Sequence, residues 1–136
     1  MITVRSEQPG DTDTITQVTI AAFAPAAHTS HTEHLIVDAL RRARQLSISL
    51  VAQDDRQIVG HVAVSPVSVS SGATGWYGLG PISVLPERQR QGIGAQLMRA
   101  ALVQLRETGA AGCVVLGDPA YYECFGFTCV SQLVLP

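Results

Sequence analysis

The segment GWYGLGPISVLPERQRQGIGAQLMR, residues 75–99, runs from a strand through a glycine-bearing turn into a helix. Trp76, Tyr77, Leu79, Ile82 and Val84 are β-formers, and Leu85-Pro86-Glu87 punctuates the end of that run. The spacing Gln89-x-x-Gly92-x-Gly94 follows, and Ile93, Leu97, Ala100 and Ala101 then recur at helical intervals. A helix that begins at such a turn aims unpaired backbone N–H groups and the positive end of its dipole at one place. That place suits phosphate. Gly92 and Gly94 carry no side chains, so a diphosphate can approach the backbone closely. The stretch points to a phosphate-bearing cofactor, with a ligand-free glycine turn as the alternative.

Two familiar phosphate motifs do not fit. A P-loop needs Gly-Lys-Ser/Thr, and this chain has no lysine; its 9 basic residues are all arginine. A dinucleotide fingerprint needs a small residue where Leu97 stands, within a βαβ unit that carries an acidic ribose partner. The order of strand, Pro-Glu turn and Gln89-Arg90-Gln91-Gly92-Ile93-Gly94 instead resembles the acetyl-coenzyme A loop, Gln/Arg-x-x-Gly-x-Gly/Ala, of the GCN5-related N-acetyltransferase (GNAT) superfamily. A second signature, Asp118-Pro119-Ala120-Tyr121-Tyr122-Glu123-Cys124-Phe125-Gly126-Phe127, resembles that superfamily's Tyr-x-x-Leu/Phe-Gly-Phe helix. With WYGLGP upstream, its wording narrows the resemblance to the YhbS-like acetyltransferases.

Length and composition agree with one globular domain over residues 1–136, which the resemblance makes a single N-acetyltransferase domain. Hydrophobic content of 46% and charged content of 15% are globular values, and 136 residues suffice for a real core. A net charge of −2 argues against a nucleic-acid surface. The N-terminus has no apolar signal core and no window approaches a membrane span, so no membrane partner and a cytoplasmic location are expected. Cys113, Cys124 and Cys129 are odd in number and lack CxxC spacing, which indicates reduced thiols rather than disulfides or zinc.

Along the chain, Ile2-Thr3-Val4-Arg5 reads as a strand, and Asp11 or Asp13 caps a helix whose face is Ile15, Val18, Ile20 and Phe23. A polar linker, AAHTSHTEH, leads to a second helix capped by Ser30 or Thr32, with Leu35, Ile36, Ala39 and Leu40 as its face. Strands over 48–52 and 58–69 form a hairpin about Asp54-Asp55-Arg56-Gln57. A helix over about 93–107 ends at Thr108-Gly109, and a buried strand, 113–116, follows. A short helix to Phe125 and a strand over 127–135 close the chain. The order β-α-α-β-β-β-α-β-α-β is an α+β layered domain, with a mixed central sheet flanked by helices on both faces. It is also the order the GNAT resemblance implies. That superfamily usually adds one further strand, here lacking or shared with a partner, which would favour a homodimer.

The resemblance also assigns roles. Proline inside the run 78–84 indicates a bulge, and in the superfamily that bulged strand splays to admit the pantetheine arm. Ile82, Ser83 and Val84 would then bind it through their backbone, with the Val84 N–H polarising the thioester carbonyl. Gln89, Arg90, Gln91, Gly92, Ile93, Gly94 and Ala95 would cradle the diphosphate through their amides, with Arg88 and Arg90 adding charge. Tyr122, four residues before the glycine, would face the sulfur as general acid; a phenol can protonate a departing thiolate. Tyr121 would pack on the cofactor. A primary amine acceptor must lose a proton, and Glu33, His61 or a water chain are the candidate bases.

His28, His31 and His34 recur every three residues but lack a fourth ligand, so no metal is expected. Arg41, Arg42 and Arg44 read as a solvated helix face. The resemblance implies an acyltransferase moving acetyl from acetyl-CoA to a primary amine of a small molecule or peptide, by direct attack in a ternary complex. A catalytically silent CoA-binding sensor or interaction module is the alternative from another class. A phosphate-binding protein unrelated to CoA is a third.

Overall fold

The computed structural model describes residues 1–24, 32–68, 72 and 74–115. They form a five-stranded mixed sheet with helices on both faces. The elements are β1 (Ile2–Ser6), α1 (Thr12–Phe23), α2 (Glu33–Arg42), β2 (Ile48–Asp54), β3 (Gln57–Pro66), β4 (Trp76–Val84), α3 (Ile93–Glu107) and β5 (Gly112–Val115). A 3-10 turn, Pro9–Asp11, precedes α1, and another, Pro86–Arg88, leaves β4. Strand order is β1-β2-β3-β4-β5; the first four are antiparallel and β5 runs parallel to β4 after the α3 crossover. The expected closing helix and last strand, Cys124 and Cys129, and residues 25–31 lie outside the described residues.

Period-two alternation sorts the central strands between two cores. Ile48, Leu50, Ala52, Val62 and Val64 meet Ile93, Leu97, Met98, Ala101 and Leu105 of α3. Val51, Ile58 and Ala63 point the other way, to Ile15 and Val18 of α1 and Val37 of α2. Because both faces are covered, β3 is buried almost continuously from Ile58 to Val64. Pairing of Ala52 with Gly60 and of Gln53 with Ile58 leaves Val59 as an extra residue in β3. The hairpin turns at Asp55, whose φ of 54° lies in the left-handed region that Asp tolerates.

Three sequence expectations are corrected here. The 58–69 strand ends at Pro66. On α1 the inner face is Ile15, Val18, Thr19 and Ala22, the i, i+3, i+4, i+7 set; Ile20 is 44% exposed. On α2, Val37 is the buried residue while Leu35, Ile36 and Ala39 are exposed. The apolar content of α2 suggested a face that its packing does not use. The 93–107 helix matches α3, and Thr108 with Gly109 (φ 78°) ends it.

Candidate active site

The deciding segment begins where β4 changes pitch. Leu79 pairs with Val64 and Ile82 with Val62, so three steps along β4 span two along β3. The surplus falls at Gly80 and Pro81, and Gly80 has φ 140°, a region that favours glycine. This is the bulge that the proline signals. The described pairing of β4 with β5 runs from Trp76 to Leu79. Ile82, Ser83 and Val84 therefore lie past the last described β5 pair, while β3 holds their other edge through Val62, His61 and Gly60. Their side chains alternate. Ile82 and Val84 pack on the α3 core, and Ser83 is buried to 1% on the α1 side.

After β4 the chain is tied down and then presented. The Leu85 N–H donates to the Val59 carbonyl at 2.9 Å, and the Gln89 carboxamide donates back to the Val84 carbonyl at 3.1 Å. Arg90 (φ 64°) and Gly92 (φ 83°) both take left-handed backbone, and Gly92 is the N-cap of α3. An added Cβ at Gly92 would meet nothing within 4 Å. The positive φ alone explains the glycine, and the open space leaves the backbone approachable. The first intrahelical bond there is from the Gln96 N–H to the Gly92 carbonyl at 3.1 Å, which leaves the N–H groups of residues 93–95 as the orphan donors of the helix start. With the helix dipole behind them they form an anion site.

The two arginines of this loop have different fates. Arg88 is committed: its Nη2 meets Asp54 Oδ2 at 2.7 Å and its Nε donates to Gln91 Oε1 at 3.1 Å. Asp54 also receives the amine of Met1 at 3.0 Å, and these partners, Arg88 first, hold its carboxyl below the usual range. Arg90 is exposed and makes no ion pair among the described residues. Of the two arginines expected to add charge at the phosphates, Arg88 is paired with Asp54 and Arg90 is exposed.

On the α1 side of the same strands lies a buried polar chain. His61, fully buried, has Nε2 2.7 Å from Ser49 Oγ, and Ser49 makes a short hydrogen bond to Glu7 Oε1. Arg41 Nη2 closes on that carboxylate oxygen at 2.7 Å. Burial, opposed by the Glu7 charge and reinforced by Arg41, pushes the His61 imidazole down to about 4 from 6.5. His61 Nδ1 and Arg41 Nε have no hydrogen-bond partner among the described residues. Arg41 is thus no solvated helix residue as its neighbours suggested; Arg42, with a side chain 81% exposed, is one. Sequence reading missed Ser49, Glu7 and Arg41. The available signal was a hydroxyl and an imidazole inside the apolar runs 48–52 and 58–64.

A family model for the acetyltransferase (GNAT) domain matches residues 44–129. The chain belongs to the GNAT family. It is 40% identical over 109 residues to the uncharacterised N-acetyltransferase YhbS of Escherichia coli K12, covering 79% of this chain. The chain spans 65% of the length of that relative. A GNAT-family acetyltransferase of Brucella melitensis, solved in complex with acetyl-CoA, superposes with a TM-score of 0.92 at 52% identity, over 99% of this chain and 88% of that one. YhbS of Escherichia coli, solved in complex with CoA, superposes with a TM-score of 0.79 at 38% identity, over 93% and 68%.

Within this GNAT chain the structure brings most of the expected site residues together on one segment. Ile82, Ser83 and Val84 end the bulged strand, and Gln89, Arg90, Gln91, Gly92, Ile93, Gly94 and Ala95 follow as the turn and first helical residues. Ile93 is buried in the α3 core, so only its backbone is available. Glu33 stands apart, half-buried at the first position of α2. His61 is fully buried, so it cannot touch a substrate directly. Tyr121 and Tyr122 lie outside the described residues, as do His28 and His31. Among the described residues no group of three His, Cys, Asp or Glu side chains is placed to hold a metal. None of the described helices is long and apolar enough to cross a membrane.

Proposed function

We propose that this chain is an acetyl-CoA-dependent N-acetyltransferase that transfers acetyl to a primary amine of a small molecule or peptide, by direct attack in a ternary complex, in the cytoplasm. The observation that carries the reading is the continuity of residues 80–95: a strand bulged at Gly80 and Pro81 runs within a few residues into an open, glycine-capped helix start. An extended pantetheine arm with a diphosphate at its far end needs those two features in that order. The crystallised relatives with acetyl-CoA and CoA support the same ligand.

In this mechanism the amides of residues 93–95 and the α3 dipole hold the diphosphate, and Arg90 adds charge. The backbone of Ile82–Val84 hydrogen-bonds the pantetheine, and the Val84 N–H stabilises the oxyanion that develops on the thioester carbonyl. The amine attacks that carbonyl, its nitrogen electron pair forming the C–N bond and its surplus proton passing to a base, for which Glu33 or a water chain leading to solvent are the candidates. The C–S bond breaks, and Tyr122, assigned by its sequence motif, protonates the thiolate. Tyr121 packs on the cofactor.

A screen for thiol release from acetyl-CoA across polyamines, amino acids, aminoglycosides and peptides tests the reading. Release that depends on a particular amine is expected. Acetyl-CoA binding without release by any amine would mark a sensor instead.

A further inference from the structure

The apolar stripe of α2 faces outward. Val37 and Arg41, four positions apart, point into the body of the protein: Val37 joins the core on the α1 side and Arg41 pairs with Glu7. Leu35, Ile36, Ala39 and Ala43 occupy the opposite side of the helix, and all four are exposed, Leu35 to 55% and Ile36 to 47%. Apolar residues exposed singly need no explanation, whereas contiguous ones mark a contact surface. We propose that the stripe is a homodimer contact, with α2 of one protomer packed antiparallel on α2 of its partner about a two-fold axis at Ala39.

Size selects a second copy. The bulky Leu35 and Ile36 precede Ala39, and the small Ala43 follows it. In an isologous contact, residue i meets j and j meets i. Centred on Ala39, an antiparallel pair sets Ile36 against the partner's Ala43 and Leu35 against the aliphatic stem of the partner's Arg42. Each bulky side chain then meets a short or flexible one, and the Ala39 pair lets the helices approach closely. A parallel pair would stack Leu35 on Leu35 and leave Ala43 facing Ala43 across a gap.

Charge follows the same order. Asp38, before Ala39, and Arg42, after it, line one edge of the stripe and are joined within the chain at 3.2 Å. The Arg42 side chain is 81% exposed and has five N–H donors, so it can serve a second carboxylate. The antiparallel pair brings it beside the partner's Asp38, and the signs alternate around the axis. The helix dipoles also oppose. A parallel pair would set Arg42 against Arg42. An unrelated apolar partner has no reason to match both orders; a second copy matches them by symmetry.

One helix of 10 residues is a small contact, short of the roughly 1,200 Å² of a stable interface. The dimer is accordingly weak and concentration-dependent. It does not use the sheet edge and does not rest on the acetyl-transfer reading.

Sedimentation equilibrium of the full chain, without acetyl-CoA, should show the mean mass rising from monomer toward dimer between micromolar and millimolar concentration. Ala39→Glu sets two carboxylates together at the axis and Ala39→Lys two ammonium groups, so each should raise the dissociation constant about tenfold or more. An equimolar mixture of the two variants should associate again, because opposite charges then meet. Position 39 is exposed, so both variants should keep the wild-type Tm, and melting curves check it. A wild type that stays monomeric throughout overturns the proposal. So does a dimer that both variants leave intact, which would put the contact at another surface such as the sheet edge. Variants that keep the wild-type mass but lose thiol release with a peptide amine would assign the stripe to the acceptor and overturn it equally.

Discussion

The Gln89 carboxamide donates to the Val84 carbonyl at 3.1 Å, so the loop proposed to hold phosphate is bonded to the strand end proposed to hold the thioester. The bond spans five residues and ties the turn back to the end of β4. Gln89 is exposed, so its loss should change stability by no more than about 1 kcal/mol. Gln89→Ala should therefore leave Tm nearly unchanged while weakening acetyl-CoA binding several-fold. Thermal melts and calorimetric titration on the same sample separate the two effects.

Arg88 and Arg90 differ by two positions and should differ in consequence. Arg88 is bound to Asp54, whereas Arg90 is exposed at the helix mouth. Arg90→Ala should weaken acetyl-CoA binding about two- to fivefold, the range of an exposed charge at a helix end, and less so at high salt. Arg88→Ala should leave the affinity near wild type. A larger effect at Arg88 would mean that its pair with Asp54 opens on binding.

The His61 network gives stability a pH dependence with a definite sign. The folded-state pKa is depressed from 6.5 to about 4, so between those values the unfolded chain binds the additional proton. Stability is full above about pH 6.5, falls as pH drops through the window, and levels off below about 4. Integrated over the shift, the loss is roughly 3 kcal/mol. The carboxyls of Asp11 and Asp54 are also held low, and their losses begin at about pH 5, in the lower part of the His61 window, and continue below it. Urea unfolding from pH 7 to 4 should show the slope in wild type and a flatter one in His61→Gln.

Gly60 of β3 faces Leu97 and Ile93 of α3. An added Cβ would lie 3.0 Å from Leu97 Cδ1 and 3.0 Å from the Ser83 carbonyl. Gly60→Ala should destabilise by about 1–3 kcal/mol, the range for overpacking. Leu97→Ala, fully buried, should lose about 2–5 kcal/mol. In the double variant the losses should not add, because one of the two crowding atoms has gone. The Ser83 carbonyl remains, so relief should be partial. Equilibrium denaturation of the four proteins measures the coupling.

Much of this was legible because the signals were local. The β4 run, the proline bulge, the glycine turn and α3 occupy one continuous stretch, and each has its own backbone chemistry. Of the α1 inner face only Ile15 and Val18 were legible, and the α2 face was not, since a helix such as 33–42 carries apolar residues on more than one side and only the sheet decides which are covered. The fate of Arg88 depends on Asp54, thirty-four positions away, and the Glu7–Ser49–His61 chain joins β2 and β3 to the residue that follows β1. Pairings of that kind have no period and no spacing in the sequence.

The central claim is that residues 82–95 hold acetyl-CoA with its diphosphate at Gly92. Gly92→Asp and Gly92→Asn place side chains of nearly equal size at the same positive φ, and Asp and Asn both tolerate it. They differ in one negative charge. Calorimetric titration of acetyl-CoA into wild type, Gly92→Asn and Gly92→Asp should show binding by the wild type, weaker binding by the asparagine variant and a further drop of about tenfold or more for aspartate. Equal affinity in all three would place the cofactor elsewhere and contradict the account.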